Sequence, residues 1–248
     1  HDFLTQAYPR LTLGMAFYSP WTKNGLLYQP PFCDWQDTID RRGHAFFTNL
    51  LYWKALDSLG TLATALKKPE EALRWDTRTQ TVRQDILRMF WDKQAGYFKN
   101  TASCDRFSAD GNLFSIIWDF APSAQSIIAA MDRLGVWTPW GPLAVHPAYH
   151  RSRKGRWVLL AGNPDYHDRQ VWPWLSALAI RALNKSDHRE RASSLLEELG
   201  KSILRDRSVA ETLDPMTGRP TKKLLYHSEM PFSWSAAMLL EVLKDIES

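Results

Sequence analysis

The run GHAFFTNLLYWKALDSLGTLATALK, residues 43–67, decides the fold, because its apolar residues recur at the spacing of one face of an α-helix. Pro69 ends this pattern, and residues 70–91, EEALRWDTRTQTVRQDILRMFW, then begin a second helical pattern. The acidic pair Glu70-Glu71 directly after a proline is typical of a helix start. Two such segments joined by a short turn predict a pair of antiparallel helices.

The rest of the chain continues in the same way, with helical patterns separated by loops. Residues 135–167 are rich in proline and glycine and show no clean periodicity, so they predict a long irregular segment, which inside a compact domain is usually functional. Short extended pieces are predicted at Gly96–Phe98 and Trp157–Leu160. About seven helices with few strand signals favour an all-α fold in one domain, residues 1–248. The five further helices are predicted at residues 109–120, 123–134, 169–183, 188–205 and 232–246.

Composition excludes several classes of protein. The chain has 248 residues, 44% of them hydrophobic, and a formal net charge of +4 spread along its length, so we expect no nucleic-acid partner. The basic cluster 151–156 fits a solvated loop, with phosphate binding as the alternative. No apolar run reaches the length of about 18 residues that crosses a membrane, and no signal peptide is visible. Only two cysteines are present, which favours a reducing compartment and a cytoplasmic protein.

Aromatic residues are unusually frequent, with 12 Trp, 8 Tyr and 11 Phe. A rich hydrophobic core is one explanation. Several tryptophans, however, stand beside proline and glycine, where loops around a cleft are expected. Flat rings with a polar edge suit the faces of sugars. The stretches concerned are 19–21, 137–141 and 171–174.

Two distant segments each present a carboxylate among aromatic and turn-forming residues. Asp37 follows Phe32 and Trp35, and apolar rings around a carboxyl keep it protonated to higher pH, as a general acid requires. Glu211 precedes the turn sequence at residues 213–218. A proton donor and a proton acceptor on separate segments are what acid/base cleavage of a glycosidic bond requires.

Simpler roles stay open for these acids. Asp34, Asp37 and Asp40 precede the first long helix, where an aspartate is often a helix cap or a solvated surface group. Glu211 can be an ordinary surface residue in a loop. Glu229 is an alternative base, because it also lies in a turn-rich segment beside aromatic residues.

The densest cluster of polar and aromatic residues is Tyr166–Trp174, at a predicted helix start. His167 and Asp168 suggest a hydrolase triad, but the sequence lacks the G-x-S-x-G nucleophile elbow. It also lacks a glycine-rich phosphate loop and any His/Cys spacing typical of a metal site. We therefore expect neither a cofactor nor a metal.

These segments resemble the six-hairpin (α/α)6-barrel glycosidases, and most closely the amylo-α-1,6-glucosidase domain of glycogen debranching enzymes. The chain is also similar to processing α-glucosidases and neutral/alkaline invertases. Asp34-Trp35-Gln36-Asp37 occupies the place of the segment that supplies the general acid in the debranching group. Residues 166–175, YHDRQVWPWL, match the segment that opens a barrel helix, with Arg169 where the group has glycine.

Three further segments carry the same resemblance. Glu211 with Asp214-Pro215-Met216-Thr217-Gly218 matches the segment that supplies the base. Residues 232–237, FSWSAA, match the start of the closing helix. Residues 109–114, ADGNLF, resemble the segment that such barrels place near the bound sugar.

The resemblance implies an inverting, exo-acting hydrolase of α-glucosidic bonds in oligosaccharides or small α-glucosides. Asp37 would protonate the leaving oxygen and Glu211 would activate water. The tryptophans expected to line the pocket are Trp35, Trp140, Trp172 and Trp174. The residues expected to bind sugar hydroxyls are Asp110, Asn112, His167, Asp168 and Arg169.

A complete six-hairpin barrel has more helices than this sequence predicts. We therefore expect the chain to be the C-terminal part of a larger polypeptide, or to be completed by a partner chain. A helical domain that binds carbohydrate without cleaving it is the alternative function. An epimerase or lyase on a similar helical toroid, which would use His or Tyr as its acid/base pair, is a third.

Overall fold

The computed structural model of the protein describes residues 2–247 and confirms the prediction of a mainly helical chain. Within these residues the α-helices are α1 Asp2–Phe17, α2 Phe46–Ala65, α3 Pro69–Phe90, α4 Ala109–Ile117, α5 Ala124–Leu134, α6 Arg156–Leu160, α7 Pro173–Lys185, α8 Arg189–Asp206 and α9 Ser233–Glu247. The short strands are β1 Thr22–Lys23, β2 Leu26–Leu27, β3 Trp91–Asp92, β4 Tyr97–Thr101, β5 Cys104–Ser108, β6 Trp137–Thr138, β7 Gly141–Pro142, β8 Val145–His146, β9 Lys222–Lys223 and β10 Tyr226–His227.

The chain forms two compact units. The first contains the residues up to Trp35, together with Arg41–Trp91 and Lys99–Asp105. The second contains Gln36–Asp40, Asp92–Phe98 and the residues from Arg106 onward. Both predicted carboxylates, Asp37 and Glu211, therefore belong to the second unit.

The first unit is built on the predicted helical hairpin. Helix α2 packs along α3, and the buried side of α2 carries large apolar residues such as Phe46, Leu50 and Leu56. Pro69 occupies the first turn of α3, as predicted. Proline is tolerated there because the N–H groups of the first turn have no acceptor within the helix, so the N–H that proline lacks costs no hydrogen bond.

Helix α1, which also belongs to the first unit, was not predicted. Pro9 lies inside it, and proline is unfavourable in a helix interior. A tertiary contact holds the helix in place, because Trp75 of α3 donates its Nε1–H to the hydroxyl of Tyr8 at 2.9 Å.

Helix α7 is the centre of the second unit. It packs against α4, α8 and α9, and ten of its residues are buried, so its sequence is apolar on nearly all sides. The sequence predicted a start at residue 169, but the helix begins at Pro173. Trp172 is extended (φ −105°, ψ 113°), as the residue before a proline tends to be.

The segment predicted as irregular, residues 135–167, consists mostly of turns and short pairings. Strands β6 and β7 form a hairpin, and β8 pairs antiparallel with β5 through Phe107–His146 and Ser108–Val145. The prediction of an extended piece at Trp157–Leu160 is wrong, because these residues form helix α6 with only Val158 buried. The apolar pattern of this stretch is short, and such patterns do not distinguish a strand from a helical turn.

Isolated antiparallel bridges bring the loops of the second unit together. Val171 pairs with both Leu143 and Leu213, and Leu213 also pairs with Pro220. The start of α7 is thereby joined to the segment that carries Glu211. Among residues 2–247 no helix is both long and apolar enough to cross a bilayer, and Cys33 and Cys104 form no disulfide.

Candidate active site

Glu211 lies in a nearly closed pocket of tyrosine hydroxyls. Its side chain is only 8% exposed. Tyr166 donates its hydroxyl to Oε1 at 2.5 Å, and Tyr226 donates to Oε2 at 2.7 Å. Accepting a hydrogen bond on each oxygen is the pattern of an ionised carboxylate. The backbone N–H of Glu211 donates to the carbonyl of Glu229 at 2.9 Å, which holds the Glu211 segment against the segment that follows the β9–β10 hairpin.

The two tyrosines stay protonated at all ordinary pH values. Burial raises the pKa of Tyr166 strongly, and the neighbouring charge of Glu211 raises it further. Burial also raises the pKa of Tyr226; the hydrogen bond to Thr212 opposes this shift, and Glu211 adds to it. Both hydroxyls therefore act as permanent donors to the carboxylate.

A cluster of rings surrounds this clamp. The rings of His167 and Trp172 are parallel, with an interplanar angle of 4° and centroids 5.2 Å apart. Tyr166 contacts Trp172 at 4.9 Å and Tyr226 at 5.3 Å between ring centroids. The indole N–H of Trp172 donates to the carbonyl of Tyr166 at 3.0 Å. These contacts limit the movement of the Tyr166 hydroxyl relative to Glu211.

The Asp37 segment is attached to the same cluster through its neighbour. Thr38 shares a hydrogen bond of 2.8 Å with Nδ1 of His167 and accepts one from the N–H of Gly155 on its carbonyl at 2.7 Å. Ile39 forms an antiparallel bridge with Lys154. The backbone that follows Asp37 is thus held in place.

Asp37 itself is exposed, so the prediction that apolar rings shield its carboxyl is wrong. The carboxyl nevertheless lies within electrostatic reach of the cluster, because its charge contributes to the raised pKa of Tyr166. Tyr166 therefore senses both predicted carboxylates, one buried at hydrogen-bond distance and one exposed to water. The two carboxylates thus differ in their surroundings: Glu211 is buried and accepts two hydrogen bonds, whereas Asp37 is exposed to water.

Comparison with known proteins identifies the family. Residues 3–235 match the family model of the mannosylglycerate hydrolase MGH1-like glycoside hydrolase domain. The chain belongs to this family. The family is one of glycoside hydrolase domains, which agrees with the predicted resemblance to glycosidases at this coarser level. No curated protein sequence matches the chain.

Two solved structures share the fold of this MGH1-like domain. A structure described as a sialidase superposes with a TM-score of 0.67 at 19% identity, over 88% of this chain and 22% of the other. A rhamnosidase from Klebsiella oxytoca with rhamnose bound superposes with a TM-score of 0.64 at 16% identity, over 94% of this chain and 40% of the other. The MGH1-like chain thus spans less than half the length of either relative.

Asp168 of the MGH1-like domain was predicted to bind sugar hydroxyls, but the structure gives it an internal role. Its side chain is fully buried, forms an ion pair with Lys154 and accepts a hydrogen bond from the N–H of Tyr149 at 3.2 Å. Burial raises the pKa of Asp168, and Lys154 opposes that shift. Lys154 also donates to the carbonyl of Pro164 at 2.6 Å and forms a β-bridge with Ile39, so it joins the segment after Asp37 to the loop before α7.

Asp110 and Asn112 were also predicted to bind sugar, and the structure places both in the protein interior. Asn112 is fully buried, and its amide exchanges hydrogen bonds with the N–H and carbonyl of Phe98 at 2.9 and 3.0 Å. Asp110 accepts from Ser108 at 2.6 Å and from the N–H of Gly111 at 2.7 Å. These contacts organise the start of α4 and leave neither side chain on a surface.

The predicted tryptophans do not converge on Glu211 as a group. Trp172 belongs to the cluster around it, as described above. Trp174 is completely buried and stacks on Trp234 at 4.5 Å, so it is part of the core beneath α7. Trp35 is half-buried and belongs to the first unit. Trp140 lines a separate cavity.

That cavity has a volume of about 630 Å³ and also contains Arg169, which is exposed. Four of the residues predicted to bind sugar therefore lie near Glu211 or the cavity, and the others are buried or belong to the first unit. His167 and Trp172 accompany Glu211, whereas Trp140 and Arg169 belong to the cavity. The alternative base Glu229 is exposed and contributes its backbone carbonyl to Glu211.

Tyr166, Tyr226 and Thr38 are the site residues to which sequence reasoning gave no role. Tyr166 begins the cluster of polar and aromatic residues that was predicted to be functional, and its position directly before His167 was the only sequence signal for it. Tyr226 carried no signal, because it reaches Glu211 only through the β9–β10 hairpin. Within residues 2–247 no three His, Cys, Asp or Glu side chains are grouped as metal ligands.

Proposed function

We propose that the protein is an inverting, exo-acting glycoside hydrolase for α-glucosidic bonds, with Asp37 as general acid and Glu211 as general base. The observation that carries this proposal is the double hydrogen bond from Tyr166 and Tyr226 to the buried Glu211 carboxylate, together with the charge of Asp37 acting on the same Tyr166. Family membership supplies the reaction class.

The proposed chemistry uses protein groups only. Asp37 gives its proton to the glycosidic oxygen as the bond to the anomeric carbon breaks. Glu211 takes a proton from a water whose oxygen attacks that carbon from the opposite face, so the configuration inverts. Inverting enzymes separate the two carboxyls by roughly 6.5–9.5 Å to make room for the water. Because Asp37 is exposed, a bound sugar would remove water from it and favour its protonated form.

The fold proposed with this function is part of an (α/α)6 barrel. It is supported by the helical pairs of the chain, by the almost completely buried α7 and by the resemblance to debranching-enzyme domains. In such a barrel the loops at one end of the inner helices carry the site. The segment before α7 fits this position, because it supplies Tyr166 and His167 to the cluster.

A second substrate is favoured by the family itself, whose description names mannosylglycerate. The two candidates differ in the sugar and in the leaving group but use the same acid and base. A panel that contains nitrophenyl α-glucoside, maltose, isomaltose and mannosylglycerate decides between them. Proton NMR of the first-formed product anomer reports inversion or retention.

Three variants test the residue roles. We expect Asp37→Asn and Glu211→Gln each to reduce kcat by about 10²–10⁴-fold, the usual effect of removing an acid or a base. Glu229→Gln tests the alternative base and should stay within about threefold of the parent if Glu211 is the base, because the Glu229 side chain is exposed and its backbone carbonyl makes the hydrogen bond to Glu211. Normal hydrolysis by the Asp37 and Glu211 variants would refute the assignment. Sugar binding in calorimetry with no turnover of any substrate would favour a non-catalytic domain instead.

A further inference from the structure

The cavity beside Trp140 is bounded by three segments of the second unit. The β6–β7 hairpin contributes Trp137 and Trp140, the loop before α7 contributes Arg169 and Gln170, and the turn after Glu211 contributes Asp214. Its volume of about 630 Å³ is within the usual range for small-molecule sites. Glu211, Tyr166 and Tyr226 are not among its lining residues.

The Trp140 ring packs closely against the backbone of Gly218. Gly218 lies so close to it that an added Cβ would stand 2.1 Å from a ring carbon. Next to it in the hairpin, Gly141 packs as closely on Ser176 of α7, where an added Cβ would be 2.8 Å from the serine Cβ. A rigid indole on the wall of a cavity presents a flat, amphipathic surface at low entropic cost.

Two buried polar groups of the cavity wall have no hydrogen-bond partner in the described part of the chain. Gln170 is only 2% exposed; its Nε2 donates to Asn163, while its Oε1 has no donor. The indole Nε1–H of Trp137 likewise has no acceptor. Unpartnered buried groups of this kind are uncommon in folded proteins and call for an explanation such as a ligand or an ordered water. Both atoms are themselves inaccessible to solvent, so they lie behind the surface of the cavity.

The charges around the cavity are balanced. Arg169 and Lys223 are opposed by Asp165 and Asp214. Asp165 lies 3.8 Å from Lys154 in an ion pair, and Asp214 accepts hydrogen bonds from the backbone of its own turn. A wall without excess charge of either sign favours a neutral polyhydroxylated ligand over an anion or a cation.

We propose that this cavity is a second saccharide-binding site, which takes a neutral hexopyranose unit of an oligosaccharide apart from the Glu211 carboxylate. Trp140 would cover one sugar face, and Arg169 would donate a hydrogen bond to a sugar hydroxyl. The inference rests on the family's association with sugar substrates, and it does not depend on the proposed catalytic roles of Asp37 and Glu211. It would stand if those roles were reassigned.

Fluorine NMR of the full chain labelled with 5-fluorotryptophan tests the proposal directly. The protein carries Glu211→Gln to slow turnover, and Trp137→Phe and Trp140→Phe variants assign the two resonances. Titration with maltoheptaose or mannotetraose should move both resonances in a saturable manner. Arg169→Ala should then weaken the apparent affinity read at Trp140 by about fivefold or more, the effect of losing one hydrogen bond to a charged group. Lys222→Ala is the matched control, because Lys222 is exposed on the same strand as Lys223 but does not line the cavity.

Each result decides the question. Resonances of Trp137 and Trp140 that do not move, while the resonance of Trp172 beside Glu211 does, would overturn the proposal. So would equal losses in the Arg169 and Lys222 variants, or a response only to sulfated polysaccharide. Failure of the catalytic assignment is a different result, since it appears as unchanged hydrolysis by the Asp37 and Glu211 variants.

Discussion

Replacing Tyr166 by phenylalanine tests how the protein holds its buried carboxylate. Tyr166 donates to Glu211 at 2.5 Å, and no other hydrogen bond of its hydroxyl is seen among the described residues. A hydrogen bond to a charged group contributes about 1.5–3 kcal/mol to stability. We therefore expect Tyr166→Phe to lower the free energy of unfolding by about 2 kcal/mol.

A double-mutant cycle with Glu211→Ala isolates this contribution. In the Glu211→Ala protein the Tyr166 hydroxyl is buried and has lost its acceptor, so its removal should be neutral or slightly stabilising. The coupling energy of the two substitutions should therefore be about 2 kcal/mol or slightly more. Equilibrium urea unfolding measures all four proteins, and a constant slope m shows that the same surface unfolds in each.

The same cycle contains the result that would refute the reasoning. If Tyr166→Phe costs as much without Glu211 as with it, the hydroxyl acts through other contacts and the clamp is not what stabilises the carboxylate. Tyr18→Phe is the control, because Tyr18 is 44% exposed and its change should stay within about 0.5 kcal/mol.

Three other predictions concern stability. The pKa of Tyr166 and of Tyr226 is raised in the folded state, so as the pH rises both tyrosines ionise first in the unfolded chain. The free energy of unfolding should therefore not depend on them below about pH 10. Above that pH it should fall by up to about 1.4 kcal/mol per pH unit for each tyrosine. Urea unfolding at several alkaline pH values should show a smaller fall in Tyr166→Phe, and an equal fall would contradict the assignment. Lys154→Met should cost about 3–5 kcal/mol in urea unfolding, because it leaves the buried carboxylate of Asp168 unpaired, and a loss below 1 kcal/mol would show that the pair is dispensable. Gly218→Ala should lower the melting temperature, because Gly218 has φ 62° and an indole ring occupies the space of the new methyl; an unchanged value would show that the ring can move aside.

The helical hairpin was predictable because its information is local. Residues 43–67 repeat apolar side chains at helical spacing, and Pro69 marks the next helix start, so α2 and α3 follow from short-range physics. Helix α1 was missed because it depends on the contact between Tyr8 and Trp75, which lie far apart in the sequence. Helix α6 was predicted as extended because a five-residue helix is too short to show its period.

The site was predictable in its residue types and not in its geometry. Glu211 was found through the turn that follows it, which is a local signal. The partners that define its chemistry, Tyr166 and Tyr226, lie 45 residues before it and 15 after it, and only folding brings them together. Asn112 shows the reverse error: its segment resembles a sugar-binding one, but tertiary packing uses its amide to hold the backbone of Phe98.

The asymmetry between the two carboxylates has a physical explanation. In the proposed mechanism the base must be ionised and fixed in position, and the hydroxyls of Tyr166 and Tyr226 would achieve this for the buried Glu211 by donating to both of its oxygens. A general acid that carries a proton near neutral pH needs a poorly solvated environment. A carboxyl buried in this way without a hydrogen-bond partner would, however, destabilise the fold when no substrate is bound. The backbone bonds of Thr38 and Ile39 fix the position of Asp37 without removing it from water. Shielding of Asp37 is thereby left to the bound glycoside, so larger leaving groups, which cover it more fully, should be cleaved with higher kcat than small ones.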